Sequence, residues 1–180
     1  MKITFFAHAT TYDNEAAIAT GQADAKISPL GKTQIDNLKN LVKDKNFDIV
    51  YCSDLSRAVE TAEGAFGGRI EIQIDERLRE LDLGDFTRKT DEYVDSKTVT
   101  EAHIRDPFPN GESLKDVETR MSSFISHITH SGYNDIAIVA HRFNNLSLDV
   151  ILKGKTWEEA LAEDWRKTKS WQPGWEYIIN

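Results

Sequence analysis

Cysteine is nearly missing from this chain: Cys52 is the single one in 180 residues. One thiol cannot close an intrachain disulfide, which fits a reducing compartment and an expected cytoplasmic location. Long apolar runs are missing too. The first run is too short for a secretory leader, and none approaches the roughly 20 residues of a spanning helix, so a membrane is not an expected partner. Positive charge is scarce: 22 Lys and Arg face 30 Asp and Glu, a formal net charge of −8. Nonspecific nucleic-acid binding needs a basic surface and is disfavoured. A small anionic substrate is not, because a local basic pocket can sit on an acidic protein. No His/Asp/Glu cluster has metal-ligand spacing, and there is no internal repeat, low-complexity tract or linker. With 39% hydrophobic and 29% charged residues the composition is globular. The length suits one domain, 1–180, with a substantial core. Nothing in the sequence sets an oligomeric state.

What is present is organised around three short apolar runs. Lys2-Ile3-Thr4-Phe5-Phe6-Ala7 ends on His8 and Ile136-Ala137-Ile138-Val139-Ala140 ends on His141. Ile49-Val50-Tyr51-Cys52 runs into Ser53-Asp54-Leu55-Ser56-Arg57. Each reads as a buried strand. If the strands are parallel, two imidazoles and a guanidinium emerge at one edge of a sheet, the edge where open α/β sheets bind ligands. Such a set suits a phosphoryl group.

Between the runs, residues 10 to 28 read as a long polar loop. Ser28-Pro29-Leu30 opens a helix, with serine as cap and proline in the first turn, and apolar spacing carries it to about residue 44. A helix follows Ser53 or Asp54 and stops at Gly67-Gly68. Ile70, Ile72 and Ile74 alternate as a half-buried strand. Residues 78 to 111 form a packed stretch, helical in part over 90 to 105 but without an apolar stripe, and broken by Pro107, Pro109 and Asn110-Gly111. Ser113-Leu114-Lys115-Asp116 has capping-box form ahead of a long helix that ends near Gly132. A further helix over Leu146–Leu152 stops at Gly154, and Trp175–Ile179 suits a last strand. Strands alternating with helices predict a layered α/β/α domain with a mostly parallel sheet. All four tryptophans fall in the last 24 residues. They are expected to pack the C-terminal segment; Trp171 and Trp175, flanking Pro173-Gly174, offer a substrate lid as the alternative.

Five motifs then appear in order over about residues 2 to 152. They are Ala7-His8-Ala9-Thr10-Thr11 with Asn14, Ser53-Asp54-Leu55-Ser56-Arg57-Ala58-Val59-Glu60-Thr61-Ala62, Leu78-Arg79-Glu80-Leu81-Asp82-Leu83-Gly84, Asn110-Gly111-Glu112-Ser113, and His141-Arg142. Together they resemble the histidine phosphatase superfamily in its phosphoglycerate-mutase-like branch. The resemblance implies a phosphoglycerate-mutase-like α/β fold and a cofactor-independent phosphomonoester hydrolase acting on a small phosphorylated metabolite. It assigns His8 as nucleophile, Arg57 and His141 as stabilisers of the phosphoryl group, and Glu80 as the acid.

The chemistry agrees with those residue types. A neutral imidazole takes a phosphoryl group and splits one hard step into two. An arginine fork stabilises the equatorial oxygens, and a carboxylic acid protonates the leaving alkoxide. Asn14 and Thr11 are expected to contact the phosphate. The chain departs from the family motifs in three places, one of them Ala9, which stands where the family has the glycine after the nucleophile. The family's arginine before the nucleophile is Ala7 here, and Arg142 stands where the family has glycine, so Arg142 is expected to replace the missing clamp. Two other readings stay open: a degenerate member that binds a phosphorylated ligand or partner without turnover, and a mutase, which the chain's length disfavours.

Overall fold

A computed structural model describes residues 1–170 and 172–179, with the backbone alone for Lys97 and Thr98. The apolar runs form parallel strands β1 (Lys2–Ala7), β2 (Ile49–Cys52) and β4 (Asp135–Ala140), joined by β3 (Ile72–Ile74) and β5 (Trp175–Ile178). The sheet order is β3-β2-β4-β1-β5. β4 lies between β1 and β2 and is parallel to both, β3 is parallel to β2, and β5 closes the other edge antiparallel to β1. The predicted mostly parallel sheet is therefore present. β3 is shorter than the alternation of isoleucines suggested: Ile70 falls outside it, and Ile74 is 55% exposed on an edge strand.

Because successive strand residues face opposite sides, each of β1, β2 and β4 feeds two cores. Ile3, Phe5, Ile49, Tyr51, Ile136 and Ile138 join the larger one, with Val117, Met121 and Phe124 of helix α6 (Leu114–Thr129) and Leu146 and Leu148 of α7 (Arg142–Lys153). Phe6, Val50, Cys52, Ala137 and Val139 point the other way. They meet Val42 of α2 (Pro29–Val42) and Ala62, Ala65 and Phe66 of α3 (Ser56–Phe66). Both helix pairs cover the sheet because their apolar residues recur on one stripe. Cys52 is buried in the second core, where desolvation pushes its thiol pKa up to about 12, so it stays protonated and inert.

Residues 10–28 are less irregular than the sequence suggested. Thr11 caps a single turn, α1 (Tyr12–Glu15), and pairs with Ile27 in an isolated bridge. Gly31, in the first turn of α2, lies against this loop; a β-carbon there would fall 2.1 Å from the Thr10 carbonyl oxygen. Residues 90–105 form two short helices, α4 (Asp91–Val94) and α5 (Lys97–Ala102). The chain continues from α7 into α8 (Trp157–Ala162) and α9 (Trp165–Thr168). Trp157 is buried and donates to Glu118, while Trp165 packs on Trp175 and Trp175 on Phe5. These three tryptophans pack as expected. Trp171, which the lid alternative pairs with Trp175, lies outside the described residues. Among the described residues no helix is long and apolar enough to cross a membrane.

Candidate active site

β1 and β4 run in register, Ala7 opposite Ala140, so the next residue of each is a histidine at the same carboxyl edge. The His8 amide donates to the Ala140 carbonyl (2.9 Å), and the two imidazoles lie 5.0 Å apart between ring centres. β2 ends one strand further along, and Ser53 turns the chain into α3, whose first turn carries Arg57. The three features that the sequence pattern brought to one edge are thus neighbours. Glu80 and Asn14 join them: His8, Asn14, Arg57 and Glu80 line one small cavity of about 50 Å³ at the sheet edge. A chamber of about 300 Å³ above it shares His8, Asn14, Glu80 and Arg142. A third, more apolar cavity of about 280 Å³ lies between His8 and α2, without Arg57, Asn14 or Glu80 on its walls.

The His8 ring is oriented by its own loop. Nδ1 lies 2.7 Å from the Ala9 carbonyl oxygen. A carbonyl only accepts, so Nδ1 carries the proton and Nε2 keeps a free lone pair. Thr61 fixes that loop to α3: its hydroxyl accepts from the Ala9 amide (3.0 Å) and donates to the Arg57 carbonyl (2.7 Å). Desolvation, and then the Arg57 charge, lower the His8 pKa to about 3, against a small opposing effect of the Ala9 bond. His141 is fully buried, and both ring nitrogens lack a hydrogen-bond partner. Burial, with Arg57 and His8 adding to it, drives its pKa well below the ordinary histidine value. Two imidazoles are therefore held neutral beside a cation.

Arg57 is buried and donates to two carbonyls, Gly21 O (2.7 Å) and Ala23 O (2.9 Å). It makes no ion pair among the described residues, so its charge is not cancelled by a contacting carboxylate. Glu80 is half-buried. Its Oε1 accepts from the Leu81 amide (2.9 Å) and from the Phe143 amide in the first turn of α7 (3.2 Å). Desolvation raises its pKa despite those bonds and despite Arg57. The Glu80 main chain is held from outside, its carbonyl accepting from Gln22 (2.9 Å) and Arg120 (3.1 Å).

That support explains two motifs. Glu112 accepts from the Asp82 amide and pairs with Arg120, locking the 110–113 turn to the Glu80 loop. Arg79 makes a two-pronged pair with Asp54 (2.9 and 2.5 Å), joining the Glu80 motif to the Arg57 motif. Ser113 and Asp116 form the predicted capping box of α6.

The three expected substrate contacts fare differently. Asn14 faces the cleft. Its side-chain oxygen is occupied by the Thr11 amide and hydroxyl (3.1 and 3.0 Å), which turns its NH2 group free. Thr11 does not reach the cleft: it is fully buried, and its amide and hydroxyl are both spent on Asn14. It positions Asn14 rather than meeting substrate itself. The Thr-x-x-Asn spacing carried that signal, as a cap. Arg142 lines the cleft but is already engaged. Its Nε donates to Asp164 (2.6 Å), its Nη1 to Asp95 (2.6 Å), and it lies over the Phe143 ring. Burial alone would lower its pKa; the two carboxylates outweigh that and raise it. Asp95, Asp164 and Arg166, which build this wall, carried no motif and were not singled out in the sequence. Among the described residues no group of three or more His, Cys, Asp or Glu is placed to hold a metal ion.

The histidine pKa shifts have a consequence for stability. Between pH 6.5 and about 3 the unfolded chain binds a proton at His8 that the folded protein does not. Stability is then fully present above pH 6.5 and is lost as pH falls. Most carboxylates titrate below about pH 5; Glu80 and Asp91, whose pKa values are raised, contribute with the opposite sign, so the histidine share between pH 6.5 and 5 is read by comparison with a His8 variant. The urea midpoint is expected to fall across that interval, and His8→Asn to flatten part of the fall. An unchanged slope in His8→Asn would mean His8 is not held neutral.

Comparison with known proteins agrees with this geometry. The sequence profile of the histidine phosphatase superfamily (branch 1) matches residues 3–153. A Hydrogenobacter thermophilus protein assigned as a second phosphoserine phosphatase is 32% identical, the match covering 74% of this chain and 70% of the relative. The crystal structure of the alpha-ribazole phosphatase of Shigella flexneri superimposes with a TM-score of 0.77 at 26% identity, covering 90% of this chain and 84% of the other. A mycobacterial glucosyl-3-phosphoglycerate phosphatase, solved with vanadate, gives 0.76 at 25% identity, covering 89% and 86%. With a matched segment this long, the chain belongs to the histidine phosphatase superfamily, branch 1.

Proposed function

We propose that this protein hydrolyses small phosphomonoesters through a phosphohistidine on His8. One observation carries the reading: an imidazole whose tautomer leaves Nε2 unprotonated shares a small cavity with an unpaired buried guanidinium and a carboxyl group of raised pKa. In the first step Nε2 attacks phosphorus, the bond to the ester oxygen breaks, and Glu80 gives its proton to the departing alkoxide. Phospho-His8 and a free alcohol result. In the second step the Glu80 carboxylate takes a proton from water, the oxygen attacks phosphorus, and the P–N bond breaks. Phosphate leaves, and both side chains return to their starting states. In this reading Arg57 and the Asn14 amide, which line the cavity with His8, donate to the equatorial oxygens, where negative charge builds, and His141, its ring centre 5.0 Å from that of His8, is a third donor. Burial and Arg57 favour neutral His141; an arriving dianion favours proton uptake there.

The relatives are named for phosphoserine, alpha-ribazole phosphate and glucosyl-3-phosphoglycerate, all small phosphorylated molecules, which supports the substrate class. Purified protein should release inorganic phosphate from members of a panel containing these and simple aryl phosphates. Net release distinguishes hydrolysis from mutase turnover, which moves phosphate without freeing it. Absence of both release and transfer across the panel, with tight binding of a phosphorylated ligand, would favour the non-catalytic reading.

A further inference from the structure

A phosphoryl dianion needs more positive charge than one arginine supplies, and the cleft is short of it. Among the described residues the cationic side chains on its walls are Arg57, Arg142 and Arg166. Arg57 is free of carboxylates. Arg142 is 6% exposed and clasped by Asp95 and Asp164. Arg166 differs from both. Its side chain is 31% exposed, and it holds its partners at longer range, Asp91 at 3.2 Å and Asp95 at 3.6 Å. Asp95 is already shared with Arg142. The wall thus sets two arginines against Asp91, Asp95 and Asp164, and presents no net positive charge while Arg166 stays with Asp91.

The base of Arg166 is nevertheless fixed. Asp164 is fully buried; one carboxylate oxygen accepts from the Arg166 amide (2.9 Å) and the other from Arg142 (2.6 Å). Arg142 and Asp164 anchor the α9 turn, while the guanidinium beyond it is loosely held at the mouth. Its charge already reaches His8, where it adds to the effects of burial and Arg57. Desolvation raises the pKa of its partner Asp91, and Arg166 is the first of the charges that oppose that shift, so the two groups are coupled at the mouth.

We propose that Arg166 is a catalytic residue of this site: it exchanges Asp91 for the bound phosphoryl group and supplies the second cation, with Arg142 and Asp164 as the positioning pair beneath it. The proposal rests on the phosphatase reading and moves the clamp expected at Arg142 to α9. Ala7, whose short side chain lines the same chamber as Arg166, leaves space for that approach.

The test is a double-mutant cycle read by vanadate affinity, inorganic-phosphate inhibition and kcat/KM on an aryl phosphate. Arg166→Ala should lower kcat/KM about a hundredfold, the cost of one lost transition-state donor, and weaken vanadate in step. Arg166→Lys should recover part of that loss. Asp91→Asn should tighten vanadate binding in the parent and do nothing in Arg166→Ala, because the competitor matters only while the arginine is there. Ala7→Arg should restore part of the activity of Arg166→Ala. Thermal melts of every variant separate folding from binding, and the Asp91→Asn comparison keeps the proposal testable should Arg166→Ala fold poorly. Parent-like vanadate affinity and turnover in Arg166→Ala, or no tightening in Asp91→Asn, overturns the role of Arg166 while leaving the phosphatase reading intact. A parent that neither binds vanadate nor releases phosphate overturns both.

Discussion

His8→Ala is expected to abolish turnover and, with it, all acid-labile phosphate on the protein. The size of the effect follows from what the imidazole does. It forms the covalent intermediate, so its loss leaves direct attack by water, without a positioned nucleophile; comparable losses in enzymes that work through a covalent intermediate reach about 10⁴-fold or more in kcat. Nothing nearby substitutes for it. His141 is fully buried and in this mechanism donates to the phosphoryl oxygens rather than attacking phosphorus, and Arg57 is no nucleophile. The parent, quenched in alkali during turnover of an aryl phosphate, should carry phosphate that is lost in acid, and peptide mapping should place it on His8. His8→Ala should show neither label nor phosphate release, while still binding vanadate weakly through Arg57 and Asn14. Retained turnover in His8→Ala would remove the phosphohistidine route altogether.

Much of this site was legible in the sequence because its parts sit where apolar runs stop. β1, β2 and β4 are short and almost wholly apolar, and each ends abruptly on a polar residue. Parallel strands put those ends at one edge, so His8, Arg57 and His141 had to converge once the sheet was parallel. Glu80 was legible only through its motif. In the fold it depends on contacts with Arg120, 40 residues away, and with the start of α7, 63 residues away, and no local period encodes those.

The stretch from 90 to 105 was illegible for a different reason. α4 and α5 are too short for an amphipathic stripe, and they are held by a few anchors: Val94 and Ile104 in the core, and a ring cluster of Phe86, His103 and Phe108. The Arg142 wall was hidden by distance in the chain as well. Asp95 lies 47 residues from Arg142, and Asp91 lies 75 from Arg166. An arginine at a site edge reads from sequence as a free cation; only the fold shows that two carboxylates have claimed it. Thr11 failed in the opposite direction. A small hydroxyl residue beside the nucleophile suits a phosphate contact, but the same residue type caps helices, and here the cap won.

Glu80→Gln separates an acid from a prop, and its effect should depend on the substrate. Desolvation raises the pKa of the carboxyl group and so favours its protonated form, against the Leu81 and Phe143 amides and the pull of Arg57. A protonated acid at the cleft helps only where the leaving oxygen needs a proton. Alkyl phosphates, whose alkoxides are strong bases, should lose about 10²- to 10⁴-fold in kcat. Aryl phosphates with electron-poor rings leave as weakly basic phenolates, so formation of phospho-His8 from them should change little. Their breakdown step still needs a base to activate water, so phosphohistidine should accumulate in Glu80→Gln and the phenolate appear as a burst followed by slow turnover. The pH profile gives an independent reading. In the parent, kcat/KM for an alkyl ester should fall as pH rises through the raised pKa of Glu80, since only the protonated form delivers the proton; in Glu80→Gln that limb should vanish. Gln preserves the bonds from the Leu81 and Phe143 amides through its own carbonyl oxygen, so a merely structural Glu80 predicts near-parent rates on both ester classes and an unaltered pH limb. Equal losses on alkyl and aryl esters without a burst would assign Glu80 to substrate binding instead.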